Sequence, residues 1–394
     1  MDEGVWKAVE SWNYWKRGPQ TGVPRDVAVD AWRLLDGPEA VYFYGPRRSG
    51  KTTACLQLLS RLSEKFGRAS CLFLNFEEPS FSGMLSTGFI SEVVEEHRRR
   101  HGRKPRYVFL DEVQEVPGWE KWVRAAVDKK EFKVFVTGSS AKLLSSEFAT
   151  TIGGRGFGFL VLPFSFNEFC RARLGAGIGD YLALGGYPAV VLEKNAERRM
   201  RLLEEYFETA IAKDIAARHQ VRDVPTLRTL AVYALTNTGK PFSYNKLRAM
   251  TGLSFDAIRL YLSYLEEAFL VFQVPCFSYS MKKSMGKPRK YYAFDLGLQA
   301  AVSKSFTPDL GRRLETVVAI ELRRRGKEPQ YFSNGVEVDF VVKSGMNLSA
   351  VNVCFSKHPP EREARGLEEF AKAHRGSPTL LLAGLESVAK WLGG

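Results

Sequence analysis

Residues 45–52 read GPRRSGKT, a full match to G-x-x-x-x-G-K-[ST]. The run follows an apolar stretch that reads as a strand and opens one that reads as a helix, the context in which this spacing cradles phosphate. Gly45 and Gly50 let the backbone curl so that amide N–H groups and the helix N-terminus face the anion. The cradle spans Gly45, Pro46, Arg47, Arg48, Ser49, Gly50, Lys51, Thr52 and Thr53. Lys51 is placed to reach the β and γ phosphates and Thr52 to ligate Mg²⁺. Arg47 and Arg48 either supply charge or tether the loop. A second motif, YVFLDE, is an apolar strand ending at Asp111 and Glu112. Asp111 then serves the metal, directly or through a water, and Glu112 polarises the attacking water; the alternative for Glu112 is a surface pairing with a base. The strand KVFVTGSS is expected beside it, bringing Thr137, Ser139 or Ser140 near the γ-phosphate, with Ser139 the chosen sensor. These groups together imply ATP and Mg²⁺, and hydrolysis rather than binding alone.

The elements that hold these groups follow from hydropathy. AVYFY, the phosphate loop, a Leu-spaced helix (ACLQLLSRLSEKF) and ASCLFLNF read strand, loop, helix, strand, which predicts a parallel sheet with flanking helices. PGWEKWVRAAVDKK is a helix with Trp119, Trp122 and Val123 on one face. Trp6, Trp12 and Trp15 recur near helical spacing and predict an amphipathic arm packed on the domain that follows, in preference to a stacking surface for bases. Arg25 lies near the nucleotide base or ribose, or forms a structural salt bridge. The charge run EEHRRRHGRKPR reads as a solvated helix end or loop. ERRMRLLEEYFETAIAKDIAARHQ reads as one long amphipathic helix. Beyond it, two short helices capped by Ser243 and Ser254 and followed by FLVFQV suggest a winged helix-turn-helix. The last hundred residues read as a small α/β domain.

Composition sets the limits. The 394 residues, 45% apolar and 26% charged, describe a folded chain of two or three domains. The sequence contains no apolar run of membrane-spanning length and no signal-like apolar core near Met1, so a cytoplasmic protein without a membrane partner is expected. Cys55, Cys71, Cys170, Cys276 and Cys354 are scattered, with no C-x-x-C pair, which argues against disulfides and structural zinc. A net charge of +13 suits a polyanionic partner. Lys282, Lys283, Lys287, Arg289 and Lys290 run without an acid, interleaved with Tyr279, Tyr291 and Tyr292, and form the best DNA-binding element, though such a run is also what a solvated hairpin looks like. Arg248 and Arg259, on the two short helices, are further DNA candidates.

GPRRSGKTT, FLDEVQEVPGWEKWV, VTGSSAKLL, GGRGFGFLVLPFSFNEF and GGYP resemble the prokaryotic P-loop ATPases of the AAA+ and STAND-like group, archaeal members nearest, over residues 20 to 355. The resemblance implies an ATPase core, a winged-helix module and a C-terminal domain similar to the PD-(D/E)XK, restriction-endonuclease-like fold. It also makes a homo-oligomer, a ring among the candidates, plausible. The segments are then a helical arm at 1–36, the α/β ATPase core at 37–195, a helical and winged-helix domain at 196–290, and the nuclease-like domain at 291–394. Arg155 lies where the family pattern keeps an arginine: it acts at a neighbouring subunit's γ-phosphate, or pairs with a local acid. In the nuclease-like pattern Glu315 or Glu321 is the helix acid and Asp339 the hairpin acid. Asn352 and Cys354 stand where the third strand's acid and lysine belong, and Lys357 lies too far along to replace them. The expectation is a nuclease-like fold without nuclease activity. The whole reads as an ATPase that binds and remodels DNA, branched DNA in recombination or repair included. The rivals are a STAND-type switch that recruits a protein partner, and an ATP-gated nuclease.

Overall fold

A computed structural model describes residues 1–13, 15, 21–139, 153–303, 309–345, 347–374 and 377–394, with the backbone alone at 281 and 283. The chain divides into two compact units, Met1–Val161 and Leu162–Gly394, where the sequence reading draws four segments.

Five parallel strands form the first unit's sheet: β1 (Ala40–Tyr44), β2 (Cys71–Asn75), β3 (Tyr107–Asp111), β4 (Lys133–Gly138) and β5 (Gly156–Leu160), in the order β2-β3-β4-β1-β5. The central strands are apolar except at their ends, where Lys133, Thr137 and Asp111 lie, as burial on both faces demands. Alternation sends Val41, Phe43, Phe73, Phe109 and Phe135 to one face, against α2 (Asp26–Trp32) and α3 (Lys51–Phe66). Phe109 and Phe135 stack there with centroids 4.5 Å apart. The opposite face carries Leu72, Leu74, Val108, Leu110, Val134 and Val136, covered by α1 (Glu3–Trp12), α4 (Thr87–His101) and α5 (Trp119–Lys129). In register Tyr44 pairs with Gly138, Leu110 with Val136 and Asn75 with Asp111, so the carboxyl ends of four strands finish at one level.

The amino-terminal arm closes the exposed edge of β2. Asn13, 4% exposed, accepts from Phe73 N at 2.7 Å and donates from Nδ2 to Phe73 O at 2.7 Å, so its amide behaves as one more peptide of the sheet. The Trp15 indole donates to Cys71 O at 3.0 Å, and Trp6 stacks on Trp15 at 5.4 Å. Burial holds the His97 imidazole beneath this cluster down to about 4, with the nearby His101 acting in the same direction.

In the second unit α6 (Ala196–Thr209) continues into a wider π-helical stretch, Ala210–Ala217, where the sequence reading expects one uniform helix. Three helices follow, α7 (Val224–Thr236), α8 (Tyr244–Thr251) and α9 (Phe255–Glu267), with Ser243 and Ser254 accepting from Lys246 N and Ala257 N as N-caps. An antiparallel pair, β6 (Val271–Val274) and β7 (Lys290–Ala293), comes next. Leu230, Ala234, Leu247, Ile258, Leu262 and Val271 form the core of this part. α10 (Leu310–Arg324) packs against β7 and against a four-stranded sheet of β8 (Gln330–Ser333), β9 (Glu337–Ser344), β10 (Asn347–Cys354) and β11 (Thr379–Ala383), ordered β11-β10-β9-β8. β10 pairs antiparallel with β9 and parallel with β11. α11 (Glu361–Ala373) crosses this sheet, and α12 (Gly384–Gly393) follows β11. No helix among the described residues is long and apolar enough to cross a membrane.

Asn13→Ala leaves both polar groups of Phe73 without a partner at the edge. Urea unfolding of the variant is expected to show a loss of about 2 kcal/mol; a change within about 0.5 kcal/mol would contradict the edge-closing role.

Candidate phosphate site and a buried polar cluster

The loop after β1 is shaped by close approaches that only glycine tolerates. A Cβ on Gly45, at φ 146°, would meet Val161 O at 2.3 Å. One on Gly50, at φ 97°, would meet the Arg25 guanidinium at 2.3 Å. Arg25 is buried, 3% exposed, and donates to Ser49 O, so it braces the loop from beneath. Lys51 Nζ folds back to Gly45 O (3.1 Å) and Pro46 O (2.9 Å). Arg47 forms an ion pair with Glu77 at 3.3 Å, while Arg48 is exposed and adopts φ 62°. Ser49 Oγ is buried without a hydrogen-bond partner among the described residues, and Thr53 is half-buried in the first turn of α3.

Thr52 opens α3 toward the end of β3. Its hydroxyl lies 3.0 and 2.9 Å from the two carboxylate oxygens of Asp111. Thr137, at the end of β4, donates to Asp111 Oδ1 at 2.6 Å and accepts from Glu112 N at 3.0 Å. Burial pushes Asp111 up to about 6; the hydrogen bonds from Thr137 and Thr52 and the Lys51 charge oppose that, and the Glu112 charge adds to it. Glu112 itself adopts φ 52°, a left-handed conformation that costs energy in a non-glycine residue. Its Oε2 accepts from Gln114 Nε2 at 2.6 Å and from Ser139 Oγ at 3.3 Å. Lys51, Thr52, Asp111, Glu112 and Ser139 therefore stand together at the carboxyl edge of the sheet. Thr52 and Asp111 offer a hydroxyl and a buried carboxylate in contact, the hard oxygen donors that suit Mg²⁺.

Arg155 forms an ion pair with Asp128 on α5. The local pairing is thus the geometry this chain adopts. Ser140 lies outside the described residues.

The basic run divides. Lys282 and Lys287 are exposed, and so are Arg248, whose guanidinium lies 4.6 Å over the Phe255 ring, and Arg259. The side chain of Lys283 lies outside the described residues. Arg289 is half-buried and donates to Gln273. Lys290 corrects the sequence reading: it is 3% exposed and pairs with Glu337 at 2.9 Å and Glu315 at 3.7 Å. Pairing of β7 with β6 turns it inward, and carboxylates from α10 and β9 neutralise it there. Tyr291 and Tyr292 are buried as well, which leaves Tyr279 as the exposed aromatic of the run.

The same cluster holds the expected nuclease-like residues. Tyr292 donates to Glu315, and Asp339 Oδ2 accepts from Val353 N at 2.8 Å. Asn352, 1% exposed, accepts from Asp339 N at 2.9 Å and donates to Glu363 O at 3.0 Å and Glu363 Oε2 at 3.1 Å. Burial holds Asp339 well above the usual carboxylate range, with the Glu315 charge adding and Lys290 opposing. Burial lowers the Lys290 ammonium, and Glu315, Glu337 and Asp339 outweigh it, so that it ends raised. Glu321 instead pairs with Arg324 at 3.1 Å and Arg325 at 2.8 Å on its own helix, and Lys357 with Glu386 at 3.0 Å. Sequence reasoning missed Lys290 as a member of this cluster, and also Gln114 and the bracing role of Arg25. The position of Lys290 at the head of the apolar run YYAF was the available signal.

Residues 37–170 match a family model described as an AAA domain, and residues 176–309 one described as a domain of unknown function, DUF8612. Residues 37–170, which carry the phosphate loop at one end of a parallel sheet, are thus similar to AAA domains. The chain is 29% identical over 376 residues to uncharacterized protein MJ1544 of Methanocaldococcus jannaschii, covering 89% of this chain and 81% of that one. It is 28% identical over 326 residues to an uncharacterized protein of Haemophilus influenzae, covering 79% and 81%. Among solved structures, Cdc6p from Pyrobaculum aerophilum gives a TM-score of 0.31 at 14% identity, over 75% of this chain and 97% of that one. A likeness that slight bears no weight.

Thr137→Val removes a donor to Asp111 and an acceptor from Glu112 N without changing volume. It is expected to cost about 1–3 kcal/mol in urea unfolding, while Thr137→Ser stays close to wild type. Equal stability of all three proteins would show that the hydroxyl ties nothing.

Proposed function

We propose that the protein is a Mg²⁺-dependent ATP-hydrolysing switch or motor of AAA+ type that acts on DNA. The observation that carries the ATPase reading is the meeting of Lys51, Thr52, Asp111 and Glu112 at one end of the sheet. On this reading the Lys51 ammonium exchanges its two loop carbonyls for phosphate oxygens. Thr52 and Asp111 would hold Mg²⁺, which when bound neutralises charge on the phosphates. Glu112 takes a proton from the attacking water, and Ser139 steadies its carboxylate. Arg155 serves a neighbouring subunit of a homo-oligomer only by leaving Asp128, so its part in turnover depends on assembly.

The DNA reading is supported by the placement of cations. Three helices and an antiparallel strand pair follow one another as in a winged helix, with Arg248 and Arg259 exposed on the last two helices and Lys282 and Lys287 exposed on the connection between the strands. Four such cations suit phosphate contacts whose strength falls with salt. Branched DNA is the substrate proposed.

One observation favours the ATP-gated nuclease as a second reading: Lys290 brings to Glu315 and Asp339 the lysine that β10 lacks. Against it, Asn352 is used to join β9 to α11, where the fold pattern asks for a metal-binding acid. We therefore keep a nuclease-like domain without cleavage activity. Plasmid and junction DNA incubated with the protein, ATP and Mg²⁺ is expected to remain intact. Cleavage that disappears in Asp339→Ala would establish the nuclease reading instead.

The main test is the steady-state ATPase rate without DNA, with duplex and with a four-way junction, at low and moderate salt, with Lys51→Ala as blank. Stimulation is expected to be strongest on the junction, to weaken with salt and to be largely lost in the Lys282→Glu, Lys287→Glu double variant. Indifference to every DNA would favour the protein-recruiting switch.

A further inference from the structure

The motif FLDEVQEVPGW contains a polar side chain that the account above does not use. Gln114 follows Glu112 by two residues, in the short 3-10 turn Val113–Glu115. Val113 and Val116 on either side of it are fully buried, and Val116 N bonds to Val113 O at 3.0 Å, so the core holds the turn in place. From this anchored position Gln114 Nε2 donates to Glu112 Oε2 at 2.6 Å. The orientation of the amide follows from the chemistry: a carboxylate oxygen accepts, so the nitrogen must face it. The other end of the same amide, Oε1, is buried and has no hydrogen-bond partner among the described residues.

Two donors, Gln114 Nε2 and Ser139 Oγ, meet the same oxygen of Glu112, Oε2. That arrangement fixes the carboxylate plane and leaves Oε1 of Glu112 as the oxygen that receives a proton. The backbone at Glu112 is left-handed, so the chain turns out of the strand at the residue that carries this carboxylate.

We propose that Gln114 is a positioning residue for ATP hydrolysis, whose amide nitrogen holds the Glu112 carboxylate in the orientation that takes a proton from the attacking water. This rests on the ATPase reading above. With one hydrogen of the water on Glu112, a lone pair of its oxygen is directed at the γ-phosphorus. The new P–O bond forms as the bond to the β,γ-bridging oxygen breaks; ADP leaves with that electron pair, and Glu112 holds the proton lost by water before returning it to the phosphate. Gln114 exchanges no proton.

The experiment compares wild type with Gln114→Leu and Gln114→Glu in steady-state ATPase assays and in equilibrium binding of a fluorescent ATP analogue, each also in a Glu112→Gln background. Gln114→Glu keeps the shape and replaces the donor with an acceptor, so it separates hydrogen bonding from packing. Both variants are expected to lose roughly ten-fold or more in kcat with KM and analogue binding nearly unchanged. In the Glu112→Gln background the same changes are expected to cost almost nothing further, because Gln114 acts through Glu112. Wild-type kcat in Gln114→Glu, a loss confined to KM, or a loss that simply adds to that of Glu112→Gln would overturn the proposal. Should Gln114→Leu fail to melt cooperatively, Gln114→Glu alone decides. Wild-type turnover that is absent, or that survives Lys51→Ala, sinks the ATPase reading itself; turnover that obeys Lys51→Ala but ignores Gln114 sinks this inference alone.

Discussion

The hydroxyl of Thr137 stands between two carboxylate-bearing residues, giving its one hydrogen to Asp111 and taking the backbone N–H of Glu112. This exchange is available only because β4 lies between β1 and β3 in a parallel sheet whose strands end at one level. The order brings Lys51 and Thr52, which follow β1, to the acids that end β3, although the two strands do not pair. Apolar burial on both faces supplies the rigidity. Five strands flanked by helices hold their ends in place, and the loop geometry is then set by contacts such as Gly50 against Arg25. The polar site is expensive, with a carboxylate whose charged form burial disfavours and a left-handed glutamate. Packing elsewhere in the unit has to offset that cost.

The second unit concentrates its polar interior differently. Lys290 stands among Glu315, Glu337 and Asp339, and Asn352 bridges Asp339 on β9 to Glu363 on α11. A buried lysine is tolerable because carboxylates reach it, and the buried carboxylates are tolerable because they share it and accept hydrogen bonds from Tyr292 and Val353 N. The network joins β7, α10, β9, β10 and α11, so residues on both sides of position 290 depend on one another. That explains why a division of the chain between 290 and 291 does not correspond to a gap in the structure.

How much of this was legible in the sequence depends on the range of the interaction. The phosphate loop was legible because its glycines and Lys51 act within eight residues, and the β3 acids because an apolar run ending in Asp-Glu has few other meanings. Ser243 and Ser254 were legible as caps, since a cap binds an amide three residues away. Asn13 was not: its partner Phe73 lies on the edge strand, and nothing local announces the pairing. Lys290 looked like the last member of a basic run, and only its pairing in β7 shows that the chain has already turned inward. Pattern alone does not separate Thr137, Ser139 and Ser140, since a strand end read from sequence is uncertain by a residue or two; Thr137 touches Asp111 and Glu112 N, and Ser139 the Glu112 carboxylate. The DNA reading drew on charge, a property that reports where cations occur and not which of them face solvent.

The central claim is that Glu112 serves turnover and not nucleotide binding. It is tested most directly by phosphate release from ATP and Mg²⁺ by wild type and Glu112→Gln, alongside equilibrium binding of ATP to each. The account predicts that Glu112→Gln binds ATP about as tightly as wild type and releases phosphate at least ~100-fold more slowly. Phosphate release at the wild-type rate by Glu112→Gln would contradict it.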